Sequence, residues 1–253
     1  MLVLEFWGAM DKRVAVVGGT GKTGRAVTAA LSARGAAAVP LGRAAWIDLA
    51  GALGGCDAAY VIAPNMHPDE PAYVESVVGA ACRSGVSRVV LHSVASPYLP
   101  AMPHHVCKAL AEDVVRRSGL AWSILQPGAY VQNFAAGTTI RLPYRAGARF
   151  GFADLDDVGE VAARVLLEDG HEGATYELAS FGCTAAELAA ALGSTIEEVR
   201  PRRWAAVEGK KVEPRVRDWL LAMFAYYDGH GLPVGTLPMR MLLDRPPRAL
   251  VGP

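Results

Sequence analysis

Short apolar runs alternate, along the first half of the chain, with stretches in which apolar residues recur every three or four positions. The first pattern marks strands buried on both faces and the second marks helices with one covered side. "RVAVVGG" reads as the first strand, and "KTGRAVTAALSARG" as a helix with Val27, Ala30 and Leu31 on one face, ending at Gly35. "AAAVPLG" is a second strand, a short helix lies near Leu49–Leu53, and "DAAYVIAP" is a third strand. Asp69 caps a helix over "EPAYVESVVGAACRSG", with Pro71 in its first turn. "VSRVVLHS", "HHVCKALAEDVVRRSG" and "LAWSILQPG" then supply a strand, a helix and a fifth strand.

Strand–helix alternation from residue 13 to 128 predicts a parallel sheet with helices on both faces, the doubly wound Rossmann type of α/β fold. Ligands of such sheets bind beyond the carboxyl ends of the strands. Those ends are Gly18–Gly24, Gly42–Arg43, Ala63–Asn65, His92–Ser96 and Gln126–Tyr130.

Beyond residue 130 the pattern loosens. A capped helix is expected over "DLDDVGEVAARVLLEDG", a strand over "ATYELAS", a helix over "TAAELAAALG" and a long helix over "EPRVRDWLLAMFAYYDGHG". The expected organisation is an extension over residues 1–10, a nucleotide-binding core over 11–150, and a C-terminal portion over 151–253. That last portion would partly complete the sheet and form a small α/β substrate lobe.

Composition narrows the function. Lys plus Arg and Asp plus Glu are both 25, which leaves no basic excess for nucleic acid. The 52% hydrophobic content is rich in alanine, and no run approaches the roughly 20 apolar residues that span a bilayer. "MLVLEFWGAM" is apolar but lacks the basic start and cleavage site of a signal peptide, and Met10 is a natural alternative start. The four cysteines are scattered without metal-ligand spacing, as in a reduced, cytoplasmic protein. Asp154, Asp156 and Asp157 read as helix capping rather than a metal site.

"GGTGKTG" carries the strongest chemical signal. It resembles a triphosphate loop, but such a loop needs a glycine where Val16 stands, inside the first strand. The spacing Gly18-x-x-Gly21-x-x-Gly24, between a strand and a helix, fits a dinucleotide fingerprint instead. Gly18 would allow the tight turn, Gly21 the approach of a pyrophosphate, and Gly24 close packing, with Lys22 and Thr23 at the rim. The second strand ends in "VPLGRAA", without the acid that holds a ribose 2′-hydroxyl. Arg43 there suits a 2′-phosphate, so NADP(H) is the expected cofactor, unless Arg43 is simply a solvated surface residue. Asp48 would face the adenine.

"VAVVGGTGKTGRAV", "HSVAS", "HHVCKALAEDVVRRSGLAWSILQPGAYVQNF", "DLDDVGEVAARVLLEDGHEGATYEL" and the closing "YYDGHGLPVGTLPMRMLLDRPPRAL" resemble the NmrA-like family, an atypical branch of the short-chain dehydrogenase/reductases. The resemblance covers about residues 12–250. It implies a Rossmann fold binding NAD(P) and a C-terminal lobe closing over substrate. Family members include NADPH-dependent reductases of quinones, iminium ions and other activated double bonds, and non-catalytic redox sensors that bind protein partners. It assigns cofactor binding to Gly18, Thr20, Gly21, Lys22, Thr23, Gly24, Arg43, Asp48, Ala63, Pro64, Ser93, Lys108, Pro127, Gly128, Ala129 and Tyr130. Lys108 would reach the nicotinamide ribose.

The usual short-chain reductases place a tyrosine four residues before that lysine. Here His104 stands there, on the same helix face. Either the acceptor needs no acid, or His104 supplies the proton; a solvated or capping histidine is the structural alternative. Ser93 and Tyr130 are further catalytic candidates, against roles in a turn and in packing. Asn65, Asn133, Phe134, Trp219, Phe224, Tyr227 and His230 are candidates for the substrate wall, although an aromatic helical stripe equally suits a core. The expected function is a cytoplasmic reductase, monomeric or homodimeric, delivering hydride to an apolar cyclic or aromatic small molecule. A redox sensor and a redox-neutral isomerase or cyclase are the alternatives.

Overall fold

The computed structural model describes residues 12–134 and 136–250. The extension expected over residues 1–10 lies outside the described residues. The chain runs β1 (Arg13–Val17), α1 (Lys22–Ala33), β2 (Ala37–Leu41), α2 (Leu49–Leu53), β3 (Ala58–Val61), α3 (Glu70–Arg83), β4 (Arg88–His92), α4 (Pro103–Arg116) and β5 (Ala121–Pro127). It continues through β6 (Ala129–Tyr130), β7 (Thr139–Leu142), β8 (Arg149–Ala153), α5 (Leu155–Leu167), β9 (Ala174–Leu178) and β10 (Phe181–Thr184). The remaining elements are α6 (Ala185–Ala191), β11 (Thr195–Glu198), α7 (Pro201–Val207), α8 (Pro214–His230) and α9 (Leu237–Leu243).

The elements form two compact units, and the chain passes between them more than once. The first comprises the chain up to Val94, Cys107–Gln126 and Leu155–Tyr176. The second comprises Ala95–Val106, Pro127–Asp154 and the chain from Glu177. This interleaved division differs from the boundary expected at residue 150. Sequence order hides it, because α5 and the start of β9 return to the first unit after residue 150.

The first unit is built on a six-stranded sheet in the order β2-β1-β3-β4-β5-β9. The pairs β1–β2, β1–β3, β3–β4 and β4–β5 are parallel. β1 lies inside the sheet, and its neighbours β2 and β3 continue in opposite directions from it. In doubly wound sheets such a reversal, here at the carboxyl ends of β1 and β3, is where ligands bind. One face of the sheet carries Ala15, Val17, Ala59, Val61, Val89 and Leu91, packed with Leu49, Leu53, Val74 and Val77 of α2 and α3. α1 packs on α5, where Gly159 is required: a Cβ there would sit 2.8 Å from the carbonyl oxygen of Ala26. Val27 and Leu31, two of the three residues expected on the inner face of α1, are fully buried. Burying each such side chain contributes about 1.5–3 kcal/mol.

The second unit holds a three-stranded sheet, β10-β8-β6, and a two-stranded one, β11-β7. β10 runs antiparallel to β8, whereas β6–β8 and β11–β7 are parallel. Its core gathers Met102, Phe150, Phe152, Leu188 and Leu232. α6 starts with a reciprocal capping box between Thr184 and Glu187. No helix among the described residues is long and apolar enough to cross a membrane.

Candidate functional site

The turn between β1 and α1 is tied down on both sides. The N–H groups of Gly18 and Gly19 donate to the carbonyl oxygen of Leu41, at 3.0 and 3.1 Å, which fixes the turn to the end of β2. Gly18 has φ +82°, and a Cβ there would lie 2.8 Å from the carbonyl oxygen of Ile62, just past β3. A Cβ on Gly24 would overlap the Gly18 carbonyl and lie 2.5 Å from the Cα of Gly19. Both positions therefore exclude a side chain for reasons of backbone approach. Gly19, which spacing alone did not single out, is as constrained: its Cβ would fall 2.7 Å from the Cα of Pro40. The doubled glycine was the available signal.

Gly21 differs from these. It is exposed, has φ −75°, and a Cβ would meet only the Gly18 carbonyl oxygen, at 3.3 Å. Gly21 is also the N-cap of α1. It offers no side-chain cap, and no acid stands in the first turn. The first-turn N–H groups and the positive end of the helix dipole thus face outward. Lys22 is exposed beside them and Thr23 half-buried. Arg25 donates 2.7 Å to the Thr20 carbonyl, bracing the rim. This shape and donor set fit a diphosphate.

Arg43 opens the 3-10 turn after β2, is exposed, and forms no ion pair with the described residues. Asp48, expected at the adenine, caps α2 by accepting from the N–H of Gly51 at 2.9 Å. Ala63 is buried, while Pro64 and Asn65 are exposed at the end of β3.

Lys108 and Ser93 have partners that the sequence did not show. Lys108 Nζ lies 2.8 Å from Glu70 Oε1, in a pair where the lysine side chain is 12% and the glutamate 1% exposed. Ser93 Oγ donates to Glu112 Oε1 at 2.5 Å, so its proton is already engaged. Gln126 Nε2 donates to the same oxygen at 2.7 Å, and Arg116 to Oε2 at 3.0 Å. Ser93 thus stands in a buried polar network anchored on Glu112. Next to it along the chain, His92 Nδ1 lies 2.6 Å from the Tyr60 hydroxyl. Burial, aided by the charge of Lys108, lowers the His92 pKa from 6.5 to about 3, so this imidazole is neutral at physiological pH.

The remaining candidates belong to the second unit. The Pro127 carbonyl accepts from the Ala95 N–H at 2.9 Å, and the Gly128 N–H donates to the Leu178 carbonyl at 2.9 Å. Ala129 and Tyr130 form β6, with Tyr130 half-buried opposite Ala153. His104 is 5% exposed, and its ring lies 5.8 Å from that of Trp219, nearly parallel at 30°. The Arg215 guanidinium lies 4.5 Å from the centre of the Trp219 ring. The structure thus brings His104 and Trp219 together across 115 residues of sequence (104 to 219).

Other aromatics turn inward. Phe134 meets Phe152 at 5.5 Å, and Tyr227 meets Phe150 at 5.2 Å. Burial raises the pKa of Tyr227 and pushes that of Tyr144 up to about 12. Phe224 packs at 4.8 Å on Trp204 and helps line a cavity of about 460 Å³ with Tyr144 and Pro201. Asn133 is exposed, as is His230, whose ring lies 4.8 Å from Tyr226. The stripe on α8 is therefore divided: Tyr227 serves the core of its own unit, while Trp219 serves the histidine.

Comparisons with known proteins bear on the family and the fold. Residues 44–169 match a family model described as NAD(P)H-binding. An NAD(P)H azoreductase of Xenophilus azovorans is 31% identical over 169 residues, 63% of this chain and 57% of the azoreductase. The chain spans about half the length of the curated relatives it matches. In structure it is similar to an NADPH-dependent quinone oxidoreductase of Escherichia coli solved with NADPH (TM-score 0.76, 22% identity, 94% of this chain and 96% of that one). It is similar also to NmrA, a negative transcriptional regulator solved with NAD (TM-score 0.74, 19% identity, 95% and 93%). The chain thus matches an NAD(P)H-binding family model over residues 44–169 and shares the doubly wound fold of these structures.

Proposed function

We propose that the protein is an NADPH-dependent reductase that delivers hydride to an apolar, cyclic or aromatic acceptor such as a quinone, an enone or an iminium ion. The observation that carries this reading is the uncapped, acid-free start of α1 behind a glycine turn packed tightly against the ends of β2 and β3. Arg43 supports NADPH over NADH: an exposed guanidinium without an ion-pair partner among the described residues, where an NAD-specific site would present an acid. Lys108, fixed by Glu70, would hold the nicotinamide ribose.

Bound NADPH supplies both electrons and one hydrogen as hydride. The protein's part is to orient the acceptor, exclude water and govern any remaining proton. Ser93 has its own proton engaged by Glu112, so its oxygen can only accept from a ligand. His104 is enclosed beside Trp219. Such a setting favours acceptors that are electrophilic without protonation, with His104 or solvent closing the proton balance where one is needed. The names of the azoreductase and the quinone oxidoreductase point the same way.

Mixing the protein with NADPH and a panel of quinones, enones and iminium dyes, while following the nicotinamide absorbance, tests the reading. Oxidation that requires both acceptor and protein is expected. Tight NADP binding without turnover of any acceptor would instead support a sensor, and conversion of substrate without cofactor consumption an isomerase.

A further inference from the structure

The chemistry of the Glu70–Lys108 pair is unfinished. Glu70 follows the Asp69 cap directly and lies in the first turn of α3, where the helix dipole favours an anion. One carboxylate oxygen takes the Lys108 ammonium at 2.8 Å. The other, Oε2, is buried and has no hydrogen-bond partner among the described residues. An ionised oxygen withdrawn from water without a donor is costly, so it calls for a hydroxyl or another donor to meet it. α3 and α4 follow β3 and β4, which are neighbours in the sheet. Both residues therefore belong to helices entered from the strand ends at which ligands of such sheets bind.

An ammonium has three donors and no acceptor, whereas each hydroxyl of a ribose both accepts and donates. Lys108 alone can satisfy the oxygens of a ribose diol but not its hydrogens. We infer that Glu70 completes the receptor: Lys108 donates to the diol of the nicotinamide ribose, and one of its hydroxyls donates to Glu70 Oε2. This inference rests on the NADPH site proposed above and adds a binding residue to it.

Two ligands separate the inference from a structural role for Glu70. NADPH carries the nicotinamide ribose, and adenosine 2′,5′-bisphosphate does not. Calorimetry with Glu70→Gln should show NADPH affinity lowered by about tenfold or more, as expected for losing a hydrogen bond to a charged group. Affinity for the bisphosphate should be unchanged. On the unsubstituted protein, an NADPH analogue lacking the nicotinamide-ribose hydroxyls should lose a similar factor, which keeps the test available should the variant fold poorly. Equal weakening of both ligands by Glu70→Gln, or of neither, would overturn the assignment, as would full affinity for the deoxygenated analogue. Failure of the unsubstituted protein to bind either ligand would overturn the cofactor reading, and the Glu70 role with it.

Discussion

Helices α1 and α3 both begin just beyond a parallel strand at the same edge of one sheet, yet they begin in opposite ways. α3 is closed: Asp69 accepts from the Ala72 N–H at 3.1 Å, proline stands in the first turn, and Glu70 adds a negative charge. α1 starts at a bare Gly21, without cap or acid, behind a turn in which Gly18 and Gly19 leave no room for side chains. A capped helix start uses its own amides and is worth about 0.5–2 kcal/mol to the fold. A helix start left open forgoes that contribution and keeps its amides and dipole for an anion from outside. For the proposed cofactor site the contrast is a sharper argument than the count of glycines, because spacing alone cannot separate a binding turn from a merely tight one.

Making α1 resemble α3 should therefore have the largest effect on binding. Gly21→Asp would add both a cap and a first-turn charge. We expect NADPH affinity to fall about a hundredfold or more, consistent with placing a like charge beside a diphosphate, while the melting temperature does not drop, since Asp at an N-cap is no worse than Gly. Calorimetry and thermal melts on one sample read both. Gly24→Val should be large in the other sense: its Cβ meets backbone that cannot yield, and overpacking of this kind costs about 1–3 kcal/mol or more. Urea unfolding should show that loss with no ligand present.

Arg43→Ala comes next. NADPH affinity should fall by about tenfold or more, as for a lost charge-assisted contact, with NADH affinity nearly unchanged; equal losses would remove the 2′-phosphate role. Asp69→Ala, the counterpart on the closed helix, should cost about 1 kcal/mol of stability and weaken NADPH far less than Gly21→Asp does.

The last expected effect is confined to acid pH and concerns His92. Its folded pKa, about 3, lies below the unfolded value of 6.5, so the unfolded chain binds the extra proton first. The stability that this imidazole contributes is full above pH 6.5 and is lost as pH falls from there towards 3. In His92→Gln the acid limb of stability against pH should be shallower over that window, measured by urea unfolding at a series of pH values. An unchanged slope would mean that His92 is not held neutral.

Much of the first unit was legible in the sequence. α2 falls on Leu49–Leu53 as expected, and the Asp69 cap and the Gly35 stop follow local rules that need no tertiary context. In the second unit the helices α6 and α8 were expected, whereas the strands β7, β8, β10 and β11 were not. These strands are as short as β1 to β4, but they fall in two small sheets of mixed pairing rather than in one repeating strand–helix order. β11 finds its partner β7 across 56 residues (Thr139 to Thr195). The candidate site divides in the same way. The glycine turn is local and could be read from spacing. Glu70 and Glu112 could not, because an acid in a helix reads as surface until Lys108, 38 residues away, or Ser93, 19 residues away, is seen beside it. Asp48 illustrates the local kind: its role as a cap is written in "DLAG".

A crystal structure of the protein with NADP bound tests the central claim most directly. The account predicts the diphosphate oxygens against the first-turn N–H groups of α1, over Gly21, with the 2′-phosphate on Arg43. Density for the dinucleotide anywhere else, or a diphosphate out of hydrogen-bond reach of that helix start, would contradict it.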